Sequence, residues 1–332
     1  MQIKLEKSNI MKATDISNAQ TLGDWAYLAI EKHFQKTLDH EAAVMKDTDP
    51  EELHQMRVGM RRLRSAITGF SSALQLPKAA AEENIGKIAR RLGELRDLDV
   101  LIEALQMEYK PHLPEQEQEN LDTIVEVLIK QRRKVFNKVY KTLNGKTYQK
   151  LKNHLKNWLD KPAYSGVAEF PVQLVLPDLL APQISRLLLH PGWLVGGSLG
   201  DFHAEPLNDA KPTTIEAELA QQGPVLHSLR KQVKRVRYQM SLFTKLYGEE
   251  YEEYVEDMKD VQEVLGNIQD SLVLAEMLSE ILDNPLENEL PTLAKNLTQS
   301  RQKAWEKWQP LQQRYLTTET RKSFHLSLVN CS

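Results

Sequence analysis

The chain of 332 residues carries 43 Lys and Arg against 46 Asp and Glu, a formal net charge of −3, which excludes a uniformly basic, nucleic-acid-coating surface. A hydrophobic fraction of 41% with 27% charged residues excludes an intrinsically disordered chain and allows one large core or two of ordinary size. The single cysteine, Cys331, offers neither an internal disulfide nor a zinc spacing. With no apolar stretch of signal length at the amino end and no obvious membrane span, the expectation is a soluble cytoplasmic protein.

In chain order, residues 1–21 read as a tail and 22–161 as a first helical bundle. Its helices run about Leu22 to Met45, Pro50 to Leu76, Glu82 to Tyr109 and Glu115 to Leu143, broken at Asp49-Pro50, Pro77, Pro111 and Pro114. A further basic helix follows Gly145, from about Thr147 to Leu159. Residues 162–212 are rich in Pro and Gly and read as a connection with a short helix inside it, around Leu176 to Ile184. Residues 213–318 read as a second bundle, with helices Gly223 to Tyr247, Glu249 to Leu282 and Pro291 to Leu316, and 319–332 as a C-terminal tail. Four helices per half with short loops predict an all-α fold of two pseudo-symmetric four-helix bundles.

The halves are related by an internal duplication at an offset of 173 residues. His54, Arg57, Arg61, Arg62 and Arg64 match His227, Arg230, Lys234, Arg235 and Arg237; Phe70 matches Phe243; and Leu92-Gly93 followed by Asp97 matches Leu265-Gly266 followed by Asp270. At a slightly different offset, Arg132, Lys134 and Lys138 match Arg301, Lys303 and Lys307. On a helical wheel His54, Arg57, Arg61 and Arg64 share one arc of about 80°, apart from the apolar arc of Met56, Met60, Leu63 and Ile67. His227, Arg230, Lys234 and Arg237 repeat it, with Arg62 and Arg235 flanking. Like charges at i, i+3 and i+4 destabilise a helix, so a row kept twice points to a ligand with complementary charge. A linear polyanion fits, since each neutralised phosphate releases counterions and arginine meets phosphate oxygens with a planar fork.

Arg96, Arg133, Lys134, Lys138, Lys303 and Lys307 extend the candidate set, whereas the lysines from Lys141 to Lys156 are expected to be solvated charge. His54 and His227 could donate to phosphate, ligate a metal or serve only the bundle interior. Asp97 and Asp270 are expected to orient stripe arginines, because a buried guanidinium needs a partner. No P-loop, H-E-x-x-H, nucleotide fingerprint or zinc spacing occurs in the sequence, so no catalytic residue, metal or cofactor is assigned.

His54-x-x-Arg57-Val-x-x-Arg61-Arg62-x-Arg64, with Leu92-Gly93-x-x-Arg96-Asp97-x-Asp99-Val100 and their second copies, resembles the CHAD family, the conserved histidine α-helical domain. The second copy departs at Gln269 and Leu272. The resemblance implies two four-helix bundles about a pseudo-twofold, with basic residues lining a surface that holds inorganic polyphosphate, and association with polyphosphate granules. Some family members also carry a CYTH triphosphatase domain, whose E-x-E-x-K motif is not found in this sequence, so a stand-alone, non-enzymatic binder without a membrane role is expected. A nucleic-acid or phosphoprotein binder would use the same stripes, and a metal-assisted phosphohydrolase is the third class.

Overall fold

The computed structural model describes residues 19–199, 204–206 and 212–331; most of the expected 1–21 tail and parts of the 162–212 connection lie outside them. The fold is helical. Eleven α-helices occur among the described residues: α1 (Leu22–Lys46), α2 (Pro50–Gly69), α3 (Glu82–Ala104), α4 (Glu115–Asn144), α5 (Lys146–Asp160), α6 (Val172–Leu188), α7 (Pro212–Met240), α8 (Glu249–Leu282), α9 (Leu286–Glu289), α10 (Pro291–Leu316) and α11 (Thr318–Ser327). One short antiparallel ribbon joins β1 (Gly197–Leu199) and β2 (Ala204–Pro206).

The helix starts carry the chemistry their sequences offer. Thr21 and Asp24 form a reciprocal capping box on α1, and the Asp49 side chain accepts from Glu51 N–H at the head of α2, where Pro50 needs no partner for a missing N–H. Within α2 the two arcs separate as the wheel predicts: Met56, Met60, Leu63 and Ile67 are buried, and Arg57, Arg61 and Arg64 are half-buried. α1 packs closely on α2 because Gly59 faces Thr37 and the His33 carbonyl, where an added Cβ would stand 2.8 Å from Thr37 Oγ1 and 3.0 Å from its backbone nitrogen. Burial, joined by the charges of Arg62, Lys32 and Lys36, pushes the His33 imidazole down to about 4.

Five expectations are corrected. α7 begins at Pro212, eleven residues before Gly223, and runs through Pro224. A proline inside a helix frees the carbonyl four residues earlier; here that residue, Ala220, and Pro224 itself are exposed, so water can take the place of the lost bond. The 162–212 stretch carries more structure than a connection with one short helix. Its α6 contains Pro177 and Pro182, and Val172–Leu194 is long and apolar enough to pass as a membrane span, contrary to the expectation of none. Leu176, Leu180, Ile184 and Leu187 along it are nonetheless buried in protein. The 319–332 stretch holds most of α11, capped by Thr317 and anchored by the fully buried Phe324 stacked on Tyr254 at 4.3 Å. Lys152 is not solvated: its ammonium lies 2.6 Å from Glu41 and over the Tyr148 ring.

The chain forms two compact units whose boundaries cross the sequence halves. The first holds the described residues up to Arg96 with Asn137–Val175; the second holds Asp97–Phe136 with the described residues from Leu176 onward. In the second unit, the far end of the α3–α4 hairpin shares one core with the far end of α8 and the start of α10. Leu98, Leu105, Leu121, Ile124 and Leu128 from the first repeat pack there with Leu274, Leu278, Leu293 and Leu297 from the second. Leu105 and Leu278 are repeat-equivalent, and both are fully buried in it. The buried Glu117 carboxylate of α4 accepts from Thr292 and Leu293 N–H at 3.0–3.2 Å, capping α10, whose own sequence supplies no capping side chain.

Candidate functional site

In the first unit, α2 and α3 run antiparallel, which follows from their pairing. Arg57 lies on Gly93, with Nε 3.3 Å from where a Cβ would stand, and Arg64 lies on Gly86, with Cζ at 3.3 Å. The same register sets His54 opposite Arg96, whose Nη1 is 3.5 Å from the Pro50 carbonyl oxygen. Burial lowers the His54 pKa; Glu51 opposes the shift, and Arg96, Arg61 and Arg57 reinforce it. Arg64 Nε also donates to Glu82 at the start of α3. Arg62 is exposed on the flank.

In the second unit, Arg230 lies on Gly266, with Nη2 2.9 Å from the virtual Cβ, and 3.5 Å from Asp270 Oδ2. Burial lowers the His227 pKa, reinforced by Lys231 and Arg230 and opposed by Asp270. Lys234 is half-buried and Arg235 exposed. Arg237 departs from its counterpart: Nε donates to Gln262 Oε1 at 3.2 Å, and the guanidinium sits over the Tyr238 ring, 4.7 Å from its centre. The register explains the change, for Lys259 stands at the position equivalent to Gly86. Gln269 likewise stands where Arg96 faces the first histidine. Arg96 Nε, Arg230 Nε and His227 Nδ1 are buried with no protein hydrogen-bond partner.

The remaining candidates divide by exposure. Arg133, Lys134, Lys138, Lys303 and Lys307 are all exposed on α4 and α10, and Asp97 and Asp270 are exposed on α3 and α8. The carboxylates that pair closely with arginines are others, which sequence reasoning missed; Asp99 and Arg301 are buried, Arg132 and Glu216 half-buried. Asp99 Oδ1 accepts from Arg132 Nε at 2.5 Å. Arg301, the repeat partner of Arg132, meets Glu216 at 2.8–3.1 Å through Nε and Nη2, Ser271 Oγ at 3.1 Å and Thr298 Oγ1 at 2.9 Å. Leu272 has replaced the equivalent of Asp99, and a carboxylate on α7 takes over. The signal was present: Leu128, Arg132, Val135 and Val139 recur at apolar-face spacing, as do Leu297, Arg301, Ala304 and Trp308.

A search of curated proteins found no match. Among solved structures, the chain is similar to the CHAD domain of the plant Ricinus communis, at 22% identity and TM-score 0.59, over 94% of this chain and 92% of that one. It is also similar to PptA from Streptomyces chartreusis, at 13% identity and TM-score 0.59, over 89% of this chain and all of that one. At these identities the likeness concerns the fold. A family model for the CHAD domain matches residues 28–279, most of the chain, and with the doubled histidine–arginine helices this shows that the protein belongs to the CHAD family.

Proposed function

We propose that this protein binds inorganic polyphosphate without catalysis, through His54, Arg57, Arg61 and Arg64 on α2 and His227, Arg230, Lys234 and Arg237 on α7. One observation carries the reading: both repeats keep a half-buried cationic row at the same register against a neighbouring helix. Nitrogens of Arg96, Arg230 and His227 in or beside those rows lack a protein partner. Buried donors without acceptors are destabilising, and a polyanion on the accessible side of the arginines would offset that cost through its charge. Arg62 and Arg235 would broaden the rows, and the exposed Arg133, Lys134, Lys138, Lys303 and Lys307 would add long-range attraction. Asp270, 3.5 Å from Arg230, and its counterpart Asp97 would hold arginine orientation. The proposal includes two repeat-related four-helix bundles about a pseudo-twofold, and a cytoplasmic protein associated with polyphosphate granules.

The test is a salt titration of binding to long-chain polyphosphate, single-stranded RNA and inorganic triphosphate, with phosphate release measured alongside in Mg²⁺ and Mn²⁺. The expected result is polyphosphate affinity that falls steeply with salt, as counterion release requires, weaker binding of the other two, and no phosphate release. Preference for RNA, or metal-dependent hydrolysis that is lost in Asp97→Ala, would replace this reading.

A further inference from the structure

We propose that Gly93 and Gly266 are positioning residues of the two stripes, each a bare patch of helix against which one phosphate-binding guanidinium is seated by its Nε–Nη2 edge and held. The inference rests on the polyphosphate reading above and assigns a role to the Leu-Gly motif that the duplication preserves.

Glycine in mid-helix is unfavourable relative to alanine, so two glycines at equivalent positions in α3 and α8 need a reason. Backbone conformation is not the reason, because Gly196 is the only described glycine with positive φ. Space is. Around Gly93 the three atoms nearest a virtual Cβ are Nε, Nη2 and Cζ of Arg57, at 3.3, 3.4 and 3.7 Å. Around Gly266 they are Nη2, Nε and Cζ of Arg230, at 2.9, 3.2 and 3.4 Å. Each glycine is thus met first by one guanidinium, whose atoms are the three nearest. Gly59 is the contrast, since the α1 backbone meets it directly at Thr37 N and His33 O; that glycine serves helix packing.

Seating has a chemical consequence. A free arginine side chain loses rotamer freedom when it binds, whereas one laid against a helix has lost much of it already. Its Nε–Nη2 edge is held at the glycine, so the Nη1 side of the guanidinium is presented to phosphate oxygens in one orientation. Lysine has no such edge to seat, so the device serves arginine alone. Gly86 makes a second seat, under Arg64, whose Cζ, Nε and Nη2 lie 3.3–3.5 Å from the virtual Cβ. The first repeat therefore has two seated arginines and the second has one, as Lys259 fills the position equivalent to Gly86.

The experiment is calorimetric titration with long-chain polyphosphate and thermal unfolding of the full chain, on wild type, Gly93→Ala/Gly266→Ala, Arg57→Lys/Arg230→Lys, and the fourfold combination. The alanines should lower affinity about tenfold while the unfolding midpoint stays or rises, because only the ends of flexible side chains must shift and alanine is the better helix former. In the lysine background the same alanines should cause no further loss. Equal affinity of wild type and the glycine variant would overturn the inference and leave the polyphosphate reading standing. So would an equal loss in the lysine background, or a fall of many degrees in the midpoint, which would mark these as packing glycines. Failure of the wild type to bind polyphosphate would remove both.

Discussion

The two repeats begin from one pattern and diverge at a few identifiable positions. In the first, His54 faces Arg96, Arg57 and Arg64 each rest on a glycine, and half-buried Arg132 is matched by buried Asp99 from the adjoining helix. In the second, Gln269 stands at the position equivalent to Arg96, only Arg230 rests on a glycine, Arg237 has moved onto Tyr238 and Gln262, and buried Arg301 draws its carboxylate from α7. What both copies retain is a cationic row on one helix and a carboxylate-paired arginine on another; the means of satisfying each has drifted. The rows are therefore the constrained feature. Partners are replaceable provided that a buried charge always finds one.

The largest effect should come from testing the carboxylate-paired arginines. Asp99→Ala removes the buried carboxylate that Arg132 Nε meets and should cost about 3 kcal/mol of stability, read as a lower urea midpoint. Glu216→Ala should cost about 1–2 kcal/mol, because Ser271 and Thr298 still accept from Arg301. Equal losses would mean that the two solutions are energetically alike.

Next come the rows. Arg57→Gln/Arg61→Gln/Arg64→Gln should weaken polyphosphate binding by about 10- to 100-fold at moderate salt and flatten the salt slope. Arg230→Gln/Lys234→Gln/Arg237→Gln should act in the same direction but less, since that row has one seated arginine and a diverted Arg237. Lys150→Gln/Lys156→Gln is the control at exposed positions, where titration calorimetry should find little change. A larger effect in the second row would reverse the ranking of the copies.

Glu117→Ala should cost about 1 kcal/mol, because α10 loses the carboxylate that accepts from its Thr292 and Leu293 N–H groups. Thermal unfolding would measure it, with amide exchange rising first at Thr292 and Leu293.

The smallest effect is pH dependence of binding. Burial lowers both His54 and His227 below the usual 6.5, so each is neutral in the free protein at neutral pH. A bound polyanion favours the protonated ring and raises its pKa, so protons are taken up on binding and affinity should increase as pH falls from about 8 to about 6. A few-fold gain is expected at constant ionic strength. His54→Gln and His227→Gln should each remove part of it, and a pH-independent affinity in wild type would exclude both histidines from the phosphate contacts.

Much of this was legible in the residues. The duplication, the starts of α1, α2, α8 and α10, and the separation of basic from apolar arcs on α2 follow from local chemistry and a period of 3.6 residues. What was hidden depends on partners far along the chain. Glycine 93 could be seen as repeated, but not that a guanidinium from residue 57 occupies its space. Arg132 was passed over for exposed Arg133, although its spacing from Leu128 and Val135 places it on the apolar face. Treating Gly223-Pro224 as a helix start removed the turns of α7 that carry Glu216, and with them the partner of Arg301. Proline sets a local preference; whether it ends a helix depends on whether the freed carbonyl reaches water.

The shared core at the hairpin ends also has a consequence for synthesis on the ribosome. The apolar faces of Leu105, Leu121 and Leu128 are complete once α4 has emerged, but their partners Leu293 and Leu297 emerge only about 150 residues later. At about 5–20 residues per second, this leaves the nascent hairpin uncovered for roughly 8–30 s. A chain halted anywhere in that interval presents a ready-made sticky surface, so truncated products should engage chaperones or aggregate.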